Sequence, residues 1–168
     1  PGIPHLSSAY LYPCTCLLEG TNISEGRGTT LPFEVIGAPW LDAYSLADAL
    51  NEVNLDGVRF RPAYFTPCFS KHTDAVCQGV QIHLTEPRQF LAVPGSLVIL
   101  QKVMEMCPQF SFLETSWEGS HPHFDLLMGN SRVRRQMLDG EPVEKITTAW
   151  TDNLAAFDRQ RAPYLLYS

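Results

Sequence analysis

Two glutamates, Glu19 and Glu25, stand six residues apart in a segment broken by Gly20, Gly26 and Gly28. Glycosyl transfer to water uses two carboxyl groups facing one bond, about 5–5.5 Å apart for retention and roughly 6.5–9.5 Å apart for inversion, and a glycine-broken loop can bring two such groups together. The same glutamates, with Thr21, Asn22 and Ser24, equally serve hydrogen bonding at turns and helix ends. Arg27 lies between two glycines, so its backbone can come close to a ligand while the guanidinium offers a fork to a carboxylate or an acetamido oxygen. An arginine salt-bridged across a domain junction has the same signature. Lys71, His72 and Asp74 form a second group: histidine titrates near neutrality and its neighbours can shift its charge, which suits acid, base or sugar-binding work. Solvated loop charges read the same way.

Trp40, Trp117 and Trp150 could each stack on a sugar face. Trp150 sits on an apolar stripe and reads as core, which leaves Trp40, beside Pro39 and the polar loop, as the better ligand candidate. His121 and His123 flank Pro122 and are poorly placed to share one metal without outside ligands. The five cysteines, Cys14, Cys16, Cys68, Cys77 and Cys107, form neither a CxxC pair nor a zinc-spaced Cys/His cluster. Buried apolar thiols are one reading of them. A bridge between Cys68 and Cys77 in an oxidising compartment is the other, with the odd count leaving a thiol free. No GxSxG elbow, P-loop, HExxH or dinucleotide glycine fingerprint occurs, so no metal and no cofactor is expected.

Several elements must position these groups. Cys14 to Leu18 alternates between turn residues and predicts a strand after a Pro-broken opening loop. Glu19 to Thr30 is too rich in glycine and polar groups for a core element. Asp42 or Ser45 caps a helix with Leu46, Ala49, Leu50 and Val53 at helical spacing, ended by Asn54 to Gly57. Val58 to Pro62 and Val76 to Leu84 alternate as half-buried strands, with Val76, Gln78, Val80, Ile82 and Leu84 on one face. Ser96 to Cys107 and Asn130 to Leu138 predict two further helices. Val143, Ile146, Trp150, Leu154, Phe157 and Arg161 predict one continuous final helix, stopped by Pro163 before an apolar tail or strand at Tyr164 to Tyr167. Helices interleaved with few strands predict an α+β fold: one compact domain over 1–168, with a small mixed or antiparallel sheet packed by about four helices.

The 168 residues carry twelve Lys and Arg against eighteen Asp and Glu, a net charge of −6, so the balance that grips a polyanion is missing and nucleic acid is not an expected partner. Apolar runs such as Leu97 to Leu100 fall far short of the ~20 residues of a membrane span. A chain of this length can bury roughly 70% of its unfolded surface in one core. Pro1 to His5 has neither an initiator Met nor the order of a signal peptide and reads as the middle of a loop, so the chain is expected to be a fragment of a longer protein.

One collinear series adds to this. Cys16-Leu17-Leu18-Glu19-Gly20-Thr21-Asn22-Ile23-Ser24-Glu25-Gly26-Arg27-Gly28-Thr29, Pro32-Phe33-Glu34 and Gly37-Ala38-Pro39-Trp40 are followed by Phe65-Thr66-Pro67, Ser70-Lys71-His72 and Cys77-Gln78-Gly79-Val80-Gln81-Ile82-His83. Phe124-Asp125, Gly129 and Leu165-Leu166-Tyr167 complete it. The series resembles the NamZ-type exo-β-N-acetylmuramidases, long called a domain of unknown function. Cys14, where a glycine would be expected, and His121-Pro122-His123 depart from the pattern.

The resemblance implies an N-terminal Rossmann-like domain, outside this chain, that carries the main cleft and the principal acid. It implies that 1–168 is the C-terminal auxiliary domain closing over that cleft. Its partners would be the N-terminal domain of the same parent and a muramic sugar released from the non-reducing ends of peptidoglycan fragments, in a secreted or periplasmic setting. Glu19, Asn22, Glu25 and Arg27 match the motif. Glu19 or Glu25 would orient a water or the catalytic partner, with Asn22 and Arg27 on the acetamido or lactyl group and Trp40, Lys71 and His72 as further sugar contacts. A non-catalytic wall-glycan module, or an interdomain structural one, is the alternative.

Overall fold

In the computed structural model, which describes residues 2–116 and 119–167, the two alternating runs pair with each other. β2 (Val58–Phe65) runs antiparallel to β3 (Cys77–Leu84), with Phe60 opposite Ile82 and Arg61 opposite Gln81. A third strand, β1 (Val35–Ala38), lies on the other side of β3, giving the order β1-β3-β2. The fold is α+β, with the small sheet antiparallel throughout.

Strand periodicity puts Val58, Phe60, Val80, Ile82 and Ile36 on one face of the sheet, where all are buried. α2 (Ala43–Val53) covers that face with Leu46, Ala47 and Leu50. Asp42 caps α2 as expected, accepting from Ser45 N–H at 2.8 Å, and left-handed Asn54 ends it. Asn51 then answers the free edge of β2, donating to Phe60 O at 2.7 Å and accepting from Phe60 N at 3.0 Å. Beyond the sheet, α1 (Leu6–Thr15) packs on α3 (Ala92–Met106), which α6 (Val143–Thr148) also touches. Each Leu, Ile or Phe sealed in this core contributes roughly 1.5–3 kcal/mol.

Three expectations are corrected. Cys14 to Leu18 is not a strand: it ends α1 and enters a 3₁₀ turn at Cys16–Gly20, because Leu11, Cys14, Thr15 and Leu18 are buried together at helical spacing. α3 starts at Ala92, ahead of the expected Ser96, since Pro94 falls in the first turn where its missing N–H costs nothing. The final helix is broken into α6 and α7 (Thr151–Arg161) by a turn in which Trp150 N–H reaches Thr147 O at 3.0 Å. Val143 and Ile146 are buried, but Leu154 and Phe157 are each 57% exposed, so the predicted stripe meets the core only in its first half. Of the two readings of the cysteines, the unbridged one matches: all five are free thiols, with Cys14 and Cys77 buried, though Cys68 is exposed.

The helix expected from Asn130 is α5 (Arg132–Leu138), with Asn130 Oδ1 accepting from Arg132 N at 3.0 Å, and it is preceded by a short α4 (His123–Met128). Val76 lies exposed just before β3. Tyr164 to Tyr167 form an exposed tail. Trp117 lies outside the described residues. No helix among them is long and apolar enough to cross a membrane.

Candidate functional site

The polar loop is not loose. Ser24 and Gly37 exchange backbone hydrogen bonds at 2.8 and 3.0 Å, which fastens the loop to the edge of β1. At Gly20 a Cβ would sit 2.4 Å from the backbone nitrogen of Phe124, so only glycine lets the start of α4 close on the loop. That approach brings His123 Nε2 to 3.9 Å from Glu19 Oε2. Gly26 and Gly28, with φ of +82° and +81°, bend the chain on both sides of Arg27.

Arg27 stands between the two glutamates. Its Nη2 donates to Glu19 Oε1 at 2.8 Å and its Nε lies 3.4 Å from Glu25 Oε1. The guanidinium rests 4.9 Å above the centroid of Phe33, which Tyr12 meets edge-on at 4.8 Å. Phe33 holds a left-handed backbone, φ +67°, because its N–H donates to Glu25 O and its carbonyl accepts from Thr15 Oγ1. Burial draws the Arg27 pKa down, but the hydrogen bond and charge of Glu19, with Glu25 and Tyr12 behind it, carry it above the ordinary value. Tyr12 is pushed up by burial and then by Cys16 and Glu19, and Cys16 to about 11 by burial and then Glu19.

Lys71 closes the array from beneath. Its ammonium donates to Leu18 O and Ile23 O at 2.8 Å each and to Glu25 Oε2 at 3.0 Å, so all three donors are engaged inside the protein. Burial lowers its pKa against the opposing pull of Glu25. His72, next in sequence at φ +57°, contacts Asn22 O at 2.8 Å through Nε2.

Five of the predicted site residues, Glu19, Glu25, Arg27, Lys71 and His72, therefore meet around one loop. Asn22 belongs to the loop, but its side chain is turned to residues 109–111, donating to Gln109 O at 2.8 Å and accepting from Ser111 N at 3.0 Å. Trp40, in the turn after β1, is half-buried against the core. Asp74 is exposed and turned by its own positive φ of 60°. His121 faces Ser120, while His123 faces Glu19, so the two histidines point to different partners.

Sequence reasoning passed over Tyr12 and Phe33 as site residues and weighed His123 only for metal. Nothing local marks them, since Phe33 reaches Arg27 through a strained turn and His123 reaches Glu19 through the glycine contact at position 20. Glu34 was likewise unmarked as a cap: its Oε1 accepts from Ser8 Oγ at 2.6 Å and Ser7 Oγ at 2.9 Å and lies 3.2 Å from His5 Nδ1, at the start of α1.

The two carboxylates differ in access. Glu25 is 2% exposed with both oxygens engaged by cations, whereas Glu19 is 21% exposed. Glu25 is thus suited to hold Arg27 and Lys71 in place, and Glu19 to meet something from outside. Beside Arg27 opens a groove of about 400 Å³ lined by His5, Arg27, Gly28, Thr29, Thr30 and Phe69.

Fold and site together define an α+β domain with an ion-paired carboxylate array on a glycine-broken loop. The chain belongs to the family described as exo-β-N-acetylmuramidase NamZ, C-terminal, which matches residues 10–167. It is 44% identical over 168 residues to the peptidoglycan β-N-acetylmuramidase NamZ of Bacillus subtilis (strain 168), covering 99% of this chain and 39% of that protein. Crystal structures of two DUF1343 family proteins from Bacteroides fragilis share the fold. One has a TM-score of 0.85 at 29% identity, covering all of this chain and 44% of its own; the other has 0.67 at 27%, covering all of this chain and 43% of its own. The chain thus spans less than half the length of each of these relatives.

Proposed function

We propose that this chain completes the substrate cleft of an exo-acting β-N-acetylmuramidase that releases N-acetylmuramic acid from the non-reducing ends of peptidoglycan fragments. The rest of the parent chain would supply a Rossmann-like N-terminal domain and the principal acid. Family membership supports the general role. The observation that carries the cleft assignment is the Glu19–Arg27–Glu25–Lys71 array, in which Arg27 lines an open groove and holds the one accessible carboxylate, Glu19.

In this reading Glu19 orients a water or the catalytic partner. Arg27 fixes the Glu19 carboxylate on Oε1 and leaves Oε2 toward His123. Arg27 also faces the groove, where its remaining N–H groups suit an acetamido oxygen. Glu25 and Lys71 keep the loop and guanidinium aimed, and His72 and Asn22 hold the loop to its neighbours. The domain by itself would have little activity, because a site divided between two domains loses the positioned partner when they are separated.

A second reading, a non-catalytic glycan-binding or interdomain structural module, is favoured by the internal engagement of every Lys71 donor and by the burial of Glu25. Hydrolysis of a chromogenic β-N-acetylmuramide by the full-length parent decides between them. Glu19→Gln should lower kcat by about a hundredfold or more with the protein still folded. Intact turnover with weakened affinity would transfer the loop to the binding reading.

A further inference from the structure

On the side of the Thr29–Thr30 ridge away from Arg27 lies a second groove, of about 380 Å³, between the loop and β2. Thr29 and Thr30 line both grooves. Leu31 and Pro62 supply apolar surface to the second, and Arg61 and Gln81 its polar end, while no Asp or Glu among the described residues lines it. Arg61 lies directly opposite Gln81 in the sheet, and its Nε and Nη2 both donate to Gln81 Oε1, at 2.9 and 2.5 Å.

The two arginines differ in charge balance. Around Arg27 the carboxylates of Glu19 and Glu25 offset Arg27 and Lys71, so an incoming anion meets two resident anions. Among the described residues the Arg61 guanidinium is paired with a neutral amide oxygen and with no carboxylate. Two of its five N–H groups are directed at Gln81, which fixes the plane of the guanidinium and leaves three donors for a ligand. In a chain of net charge −6, an exposed guanidinium oriented by Gln81 and without a counter-charge beside an apolar wall suits a small carboxylate carrying an alkyl group.

We propose that Arg61 binds the carboxylate of the lactyl ether of the muramic unit, with the lactyl methyl against Leu31 and Pro62 and the pyranose on the Arg27 side of the ridge. This rests on the muramidase reading above and deepens it: Arg61, rather than Arg27, becomes the residue that tells muramic acid from N-acetylglucosamine.

The test uses the full-length parent enzyme with two chromogenic β-N-acetylmuramides, one with a free lactyl acid and one with its carboxamide. Arg61→Met should raise KM for the acid by about tenfold to a hundredfold, the range of a lost charge-assisted pair, and leave the carboxamide within about twofold. Arg61→Lys, which keeps the charge without the fork, should fall between. Unfolding would depress both substrates together in kcat, so the KM difference between them isolates recognition. Equal effects of Arg61→Met on the two substrates, or none on either, would overturn the proposal while wild-type turnover keeps the muramidase reading. Absence of wild-type turnover on both would overturn the two together.

Discussion

Replacing Lys71 by Met removes a buried ammonium that joins three parts of the site, the 3₁₀ turn at Leu18 O, the loop at Ile23 O and the Glu25 carboxylate. Breaking a buried ion pair from one side typically costs about 3–5 kcal/mol, because the remaining charge is left without its partner. Here Glu25 keeps Arg27 Nε at 3.4 Å, so Lys71→Met should fall near the lower bound, about 3 kcal/mol. Glu25→Gln leaves the ammonium with two carbonyls and an amide, an uncompensated charge, and should cost as much or more, about 3–5 kcal/mol. The double variant removes both charges, so its cost should be smaller than the sum of the singles by at least about 1.5 kcal/mol. Urea unfolding followed by tryptophan fluorescence, at equal m-values, reads all three. Single losses below about 1 kcal/mol, or strict additivity, would refute the claim that this pair holds the loop.

The interrupted final helix gives a contrast within one predicted stripe. Ile146→Ala should destabilise by about 2–5 kcal/mol, whereas Leu154→Ala and Phe157→Ala should change stability by no more than about 0.5 kcal/mol; chemical denaturation showing equal losses would restore a single buried helix. Alkaline pH supplies a further check. Burial raises the thiol pKa of Cys14 and Cys107, and carries those of Cys16 and Cys77 to about 11, so the unfolded chain releases these protons first. Stability is then fully present below the ordinary thiol pKa of about 8.5 and declines as pH rises through the window toward about 11. Lys71 has the opposite sign, since its lowered pKa makes the unfolded chain bind the extra proton, but it is one group against four. Urea midpoints should drop between about pH 8 and about pH 10, less so in Cys16→Ala; a flat profile would contradict the thiol assignment.

The sequence was most informative where one local pattern had one structural answer. Asp42 capping α2, left-handed Asn54 ending it, and the alternation in β2 and β3 are all satisfied within a few residues or across one strand pair. Cys14 to Leu18 misled because a run of five fits a period of two and a period of 3.6 almost equally, and burial against α3 chose the helix. The four-residue β1, carrying Gly37 and followed by Pro39, has no pattern long enough to read, and β3 defines it. The stripe from Val143 to Arg161 is periodic throughout. Periodicity states only which residues share a face, and it does not state whether a neighbour covers that face along its whole length.

By itself the sequence determined the fold class, the loop proposed to carry the chemistry, and the residue types around it: two glutamates, an arginine between glycines, and a lysine–histidine pair further along. The tertiary structure decided how those residues divide the work. It sealed Glu25 between two cations and left Glu19 open, and it turned Asn22 toward a neighbouring segment. Through the close contact at Gly20 it brought His123 to the loop, and it set Arg61 opposite a neutral glutamine. The physical reason is that charge balance and solvent access belong to groups distant in sequence and adjacent in space, and a local pattern holds no record of which distant group will arrive.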